Sequence, residues 1–229
     1  MPVFASEVTP TSGSGKPPAD EYAWAAPVYD PATAWALTPL RRELAALAQR
    51  AVSPDHHQRS VSVLDVCCGT GQQCRIFEQA GLHAVGVDLS PAMLAKARPQ
   101  RSRSRLLRCD AARLPFATGV FPCTTIALAL HEKSPGVREY IFLEMLRVTR
   151  PGGLLLVADY QAPDGWSRSI LSLGIKGVER LAGKAHHACY AGWMRGGGLA
   201  GYLAHMAVSP LEIRPRMFGL LGIASIRRP

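Results

Sequence analysis

Lysine is scarce in this chain: 21 of its 26 basic residues are arginine. Aromatics are sparse as well, at 7%, and none interrupts the densest basic run, RPQRSRSR (98–105). A surface that stacks bases on aromatic rings is therefore missing, and the net charge of +9 is expected on a solvated basic face. No Cys-x-x-Cys occurs, and the six cysteines at 67, 68, 74, 109, 123 and 189 have no framework spacing. That excludes a zinc ribbon and a disulfide scaffold. No apolar run reaches about 18 residues, so no membrane span is expected. No apolar segment follows Met1, so no signal peptide is expected and a cytoplasmic setting with reduced thiols is.

With hydrophobic residues at 48% and charged residues at 19%, the 229 residues can bury one sizeable core. Residues 1–20 are rich in Pro, Ser, Gly and Thr and are expected to be a flexible tail ahead of a single domain over 21–229. Leu37, Leu40, Leu44 and Leu47 recur at helical steps between Tyr22 and Arg50. An alternation follows. Strand candidates at Ser60–Val66, His83–Val87, Arg105–Cys109, Val120–Leu130 and Leu154–Ala158 are separated by helical patterns at Gln72–Ala80, Met93–Arg98 and Val137–Thr149. Ser90-Pro91 reads as a cap with proline at the first helical position. Strands alternating with helices predict a parallel sheet with right-handed crossovers. After Tyr160, helical stretches at about 166–182 and 188–206 precede a strand pair at Leu211–Arg214 and Phe218–Ile226.

In such a sheet, ligands sit over the carboxyl ends of the strands, which singles out VLDVCCGTGQQC (63–74). Neither register of Gly-x-Gly-x-x-Gly closes there, and no Lys-Ser/Thr follows Gly71, so a dinucleotide or P-loop site is not indicated. Asp65 would also repel a diphosphate at short range. It would attract a ligand carrying an ammonium and a sulfonium, and Gly69 and Gly71 let such a ligand approach the backbone. Asp88 ends the second strand, where a carboxylate accepts from ribose hydroxyls, and Asp110 follows the third, placed to accept from an adenine amino group. Any one of these aspartates could be a turn residue, but together they suit S-adenosylmethionine.

The segments VLDVCCGTG (63–71), VGVDLSPAML (85–94), CDAARLPF (109–116), LALHE (128–132) and EMLRVTRPGGLLLVADY (144–160), preceded by APVYD (26–30), resemble the class I S-adenosylmethionine-dependent methyltransferases. The match is with the ubiquinone/menaquinone-biosynthesis-like branch and covers roughly residues 22–160. The resemblance implies an α/β, Rossmann-like doubly wound sheet of seven strands, mostly parallel with an antiparallel C-terminal strand. It implies that Asp65, Cys67, Gly69, Thr70 and Gly71 surround the methionine end of the cofactor and that Asp88 and Leu89 take the ribose. Asp110 and Ala111 would flank adenine, Tyr29 would close over the cofactor, and Ala127 and Leu128 would border the methyl group. The family often has glycine where Cys67 stands, and a small thiol is expected to fit because close approach tolerates little bulk. Cys67 and Cys68 then read as small packing residues, with no metal expected. Pro122 replaces the family's usual acid, a strain at the start of the fourth strand.

Methyl transfer from a sulfonium needs positioning more than a protein nucleophile, but a base can ionise the acceptor. His131 is the candidate base, with a loop histidine bonded to backbone as its alternative reading. His186 and Tyr190, in a helical insertion at about 161–206, are candidate lid residues over the acceptor pocket. The expected acceptor is a small molecule with a quinol- or phenol-like ring, methylated on carbon. Two other readings stay open: an RNA-binding or RNA-modifying methyltransferase, suggested by the charge, and a cofactor-binding protein without catalysis. Either a monomer or a homodimer is compatible with the sequence.

Overall fold

A computed structural model describes Asp20 and residues 26–52, 63–97, 104–162 and 184–229. The expected tail (1–19), the run 98–103, the helical stretch at about 166–182 and the side chain of Tyr29 lie outside the described residues. In chain order the elements are α1 (Ala26–Ala51), β1 (Val63–Val66), α2 (Gln72–Gln79), β2 (Ala84–Asp88), α3 (Pro91–Ala97), β3 (Arg105–Arg108), β4 (Phe121–Ala127), α4 (Pro135–Val148), β5 (Thr149–Tyr160), α5 (Lys184–Arg195), α6 (Gly198–His205), β6 (Glu212–Arg216) and β7 (Leu221–Arg227). They build one seven-stranded sheet in the order β3-β2-β1-β4-β5-β7-β6. β3, β2, β1, β4 and β5 are parallel, and β7 runs antiparallel to both β5 and β6. The strand order reverses between β1 and β4, which places a crevice at their carboxyl ends.

Period-two alternation divides the strands between two cores. Leu64, Val66, Leu155 and Val157 pack with Ile141, Phe142 and Met145 of α4 and with Trp193 and Tyr202 of α5 and α6. Val63, Leu154, Leu156 and Ala158 pack on the opposite face with Leu37, Leu40, Leu44 and Leu47 of α1 and Phe77 of α2. The four leucines predicted as a stripe are all buried. On α4 the buried face is Ile141, Phe142, Met145 and Val148, whereas Val137, expected on it, is 41% exposed. Ser90 caps α3 as predicted, accepting from the Met93 N–H at 3.1 Å. Asp20, placed by sequence at the end of the tail, receives the Ser90 hydroxyl and the Ala92 N–H of the same helix start.

Three boundaries differ from the sequence reading, each for a local reason. β5 starts at Thr149, before the Pro-Gly-Gly expected to separate it from α4. Its pairing with β4 jumps from Phe121↔Thr149 to Cys123↔Leu154. Pro122 has no N–H to give that ladder, so the irregularity falls opposite it. The helix expected over 188–206 is broken into α5 and α6, because Gly197 and Gly198 take φ of 91° and 63°. β7 starts three residues late, behind a turn at Met217–Gly219 in which Met217 and Phe218 are left-handed.

Gly86 marks where the sheet and the first loop meet most tightly. A Cβ there would lie 2.6 Å from Leu106 Cδ2 and 2.8 Å from the Sγ atoms of Cys68 and Cys74. Gly86→Ala is expected to cost about 1–3 kcal/mol of stability through overpacking. A urea midpoint unchanged at constant m would refute that packing.

Candidate active site

β1 ends in a loop of unusual backbone shape. Cys67, Gly69 and Gly71 have φ of 57°, 55° and 71°. The left-handed region costs glycine little and other residues more, so the family's preference for glycine at position 67 is conformational. Bulk, the reason inferred from sequence, is thus replaced by backbone conformation. A Cβ at Gly69 would meet nothing within 4 Å, so the space in front of the loop is open.

Two carboxylates fasten this loop. Asp88 Oδ2 accepts the Gly69 N–H at 2.7 Å while Oδ1 accepts the Ser90 N–H at 2.8 Å. Burial raises the Asp88 carboxyl above its usual range, and these two N–H groups oppose the rise. From the other side, Asp30 of α1 receives the Thr70 hydroxyl at 2.5 Å and the Gln72 amide at 2.7 Å. Sequence reasoning named Tyr29 and missed Asp30, although Asp30 closes the same APVYD segment.

Asp65 sits differently from its expected place. It lies on the α1/α2 face of β1, 2% exposed, beneath the loop. Its carboxylate accepts from the Thr125 hydroxyl at 2.9 Å and the Cys74 thiol at 3.6 Å. Burial pushes its pKa up to about 7, with Thr125, Cys74 and the charge of Arg41 opposing. Of the three aspartates predicted to share one cleft, Asp65 is thus enclosed below the floor. Asp110 is exposed just after β3 and caps its own turn, accepting the Ala112 N–H at 2.9 Å. Ala111 beside it is buried, and Leu89, after Asp88, is 56% exposed. The thiols are packing groups. Burial holds Cys67 well above the ordinary thiol range, and the hydrogen bond of the Cys74 thiol to Cys68, with burial, does the same for Cys74.

Beyond β4 the chain passes Ala127 and Leu128, both half-buried, with Leu128 left-handed at φ 54°. The next residues are pinned to β5. Asp159 Oδ2 accepts the Leu130 and His131 N–H groups at 3.0 and 3.3 Å, and Oδ1 pairs with His131 Nδ1 at 2.7 Å. His131 is thus buried, with its ring paired to a side chain. Around it stand Tyr160, His186 and Tyr190, with ring centroids at 4.7, 5.9 and 6.1 Å. Glu132 reaches His186, with Oε2 to Nδ1 at 3.8 Å, and Lys133, with Oε1 to Nζ at 2.7 Å. The fold therefore gathers the three predicted catalytic side chains, His131, His186 and Tyr190, into one cluster. Among the described residues no helix is long and apolar enough to cross a membrane.

Residues 63–153 match the family model described as a methyltransferase domain. A demethylmenaquinone methyltransferase of Beutenbergia cavernae is 42% identical over 101 residues, 44% of this chain and 41% of that protein. A Synechocystis protein described as an uncharacterised methyltransferase is 34% identical over 120 residues, 52% of this chain and 54% of that one. The chain thus spans about half the length of these relatives. In fold it is similar to the Burkholderia thailandensis 1,6-didemethyltoxoflavin N1-methyltransferase, solved with 1,6-didemethyltoxoflavin and S-adenosylhomocysteine. There the identity is 16%, the TM-score 0.55 and the coverage 91% of this chain and 86% of that one. Over residues 63–153 the chain is thus similar to methyltransferase domains, and over 44% of its length to a demethylmenaquinone methyltransferase.

The enclosed Asp65 generates a pH prediction. Its folded pKa lies above the unfolded value, so between about pH 4 and 7 the folded chain keeps a proton that the unfolded chain has released. Its contribution to stability is full below that window and falls as pH rises, by up to about 1.4 kcal/mol per unit. Denaturant titrations of Asp65→Asn should lack this slope relative to the parent protein. Parallel pH profiles would show the carboxyl to be ionised throughout.

Proposed function

We propose that the chain transfers a methyl group from S-adenosylmethionine to a small-molecule acceptor held between β4, β5 and α5. The observation that carries this reading is the open glycine loop whose backbone is tied to Asp88 at the end of β2. Gly69, Thr70 and Gly71 line the methionine side, with Asp65 enclosed beneath them. Each Asp88 oxygen accepts one backbone N–H and keeps a lone pair for a ribose hydroxyl. Leu89, Asp110 and Ala111 border the adenine side, and Ala127 and Leu128 the methyl. Tyr29 is proposed to close over the cofactor. Bound there, S-adenosylmethionine supplies an electrophilic methyl on a sulfonium, which leaves as a neutral thioether.

The acceptor lies against the cluster at His131. Its walls are edges and faces of rings, with Tyr160 and Tyr190 at 5.3 Å from one another and nearly perpendicular. Such a lining favours a flat ring. Together with the demethylmenaquinone methyltransferase relative, it supports a quinol- or phenol-like acceptor methylated on carbon. The chain's own residues orient that ring and exclude water from it, which is the larger part of catalysis for a reaction already activated at its methyl carbon. His131, held by Asp159, faces the group that must lose a proton.

Calorimetry with S-adenosylhomocysteine tests the reading at its root. Binding with one site per chain is expected, and no binding would overturn it. Asp88→Ala is expected to weaken that binding about 100-fold, the worth of two charge-assisted hydrogen bonds. His131→Ala should leave cofactor affinity intact while lowering kcat by about 100-fold or more; equal loss of both would place His131 in the cofactor site instead.

A further inference from the structure

We infer that His131, Glu132 and His186 form a binding site for one divalent transition-metal ion beside the acceptor pocket. One ligand atom from each of the three lies within 4.8 Å of the others. Two imidazoles and a carboxylate are the donor set that zinc, cobalt and manganese accept, with coordination positions left over. Metal–ligand bonds of about 2.1 Å would bring such donors to about 3.4 Å from one another. Closing the site therefore asks for movements of roughly 1 Å, within reach of rotations about the Glu132 and His186 side chains. No metal was expected from sequence, because no Cys-x-x-Cys occurs and the histidine nearest Cys67 and Cys68 is His83. The fold supplies the third ligand by laying α5 over the loop after β4.

The surroundings are those of a built site. His131 Nδ1 is committed to Asp159 at 2.7 Å, which selects the tautomer and assigns Nε2 as the nitrogen to ligate an ion. Asp159 is itself fixed, accepting the Leu130, His131 and Tyr160 N–H groups at 3.0, 3.3 and 2.8 Å. Glu132 divides its oxygens, Oε1 to Lys133 and Oε2 towards His186. Two carboxylates against one ammonium leave the cluster with a net negative charge when both imidazoles are neutral, so a dication is attracted.

The remaining coordination positions fit an acceptor oxygen, which identifies the acceptor class as a ring bearing a hydroxyl, alone or beside a carbonyl. Coordination lowers the hydroxyl pKa, so its proton passes to solvent as the oxygen binds the ion, and His131, with Nδ1 on Asp159 and Nε2 on the ion, then acts as a ligand in place of a base. The electron-rich ring then forms the new bond to the methyl carbon as the carbon–sulfur bond breaks, its electron pair remaining on sulfur. This use of the ion rests on the proposed methyl transfer; the site itself does not.

The test is titration of the full chain with Co²⁺, followed by calorimetry and by visible absorption. One ion per chain is expected, with the d–d bands of nitrogen and oxygen ligation. Glu132→Gln and His186→Ala should each weaken binding at least about 10-fold, and Asp159→Asn by about 10- to 100-fold. S-adenosylhomocysteine affinity should be unchanged in all three, which also shows that they fold. No stoichiometric binding below about 1 mM, binding that survives these substitutions, or the charge-transfer absorption of a cobalt–thiolate bond would overturn the site. Cofactor binding without metal binding would remove this inference alone. Metal binding without cofactor binding would remove the methyl-transfer reading alone.

Discussion

Asp88 governs the geometry on which the site depends. One carboxylate, at the last residue of β2, holds a loop residue and a helix start at once through Gly69 and Ser90. Together with the Cys68 N–H donated to the Val87 carbonyl at 2.9 Å, it fixes a loop with three left-handed residues on the β2 side, where glycine backbones would otherwise have wide conformational freedom. Burial makes the carboxylate reluctant to ionise, and the two N–H groups offset that reluctance. The same atoms that keep the loop in place thus keep the carboxylate chargeable, ready for hydroxyl donors.

A second carboxylate, Asp159, does for the loop after β4 what Asp88 does for the loop after β1. Both sit at the carboxyl end of a strand and both collect backbone N–H groups from a neighbouring connection. The difference lies in the partner: Asp88 organises backbone, whereas Asp159 also aims a side chain, His131. With Asp65 enclosed on the opposite face by Thr125 and Cys74, the sheet carries an acid in each of β1, β2 and β5, each with a distinct task.

Much of the architecture was legible in the sequence because its signals are local. Leu37 to Leu47 announce the buried stripe of α1, and Ser90-Pro91 announces the start of α3. The strand alternation from residue 60 to 158 yields the parallel sheet. What was not legible depended on distant partners. Asp65 reads as an acid beside a glycine turn, and only the pairing of β1 with β4 shows Thr125 waiting for it. Asp30 is one acid among several in a helical pattern until Thr70 and Gln72 are brought to it. Glu132 and His186 belong to segments whose approach follows from the packing of α5, which no spacing within either segment encodes. The split of the last helical stretch was there to read in Gly196-Gly197-Gly198, but apolar periodicity on both sides obscured it.

The clamp from Asp30 has a consequence for what counts as the minimal unit. The match to the methyltransferase domain begins at β1, and a fragment cut there would keep every strand and the whole glycine loop. It would lose the two hydrogen bonds that brace Thr70 and Gln72, together with the leucines that cover one face of the sheet. Helix α1 therefore braces the glycine loop as much as it covers the sheet. Docking of that helix and the conformation of the loop are thermodynamically linked, each raising the free energy needed to undo the other.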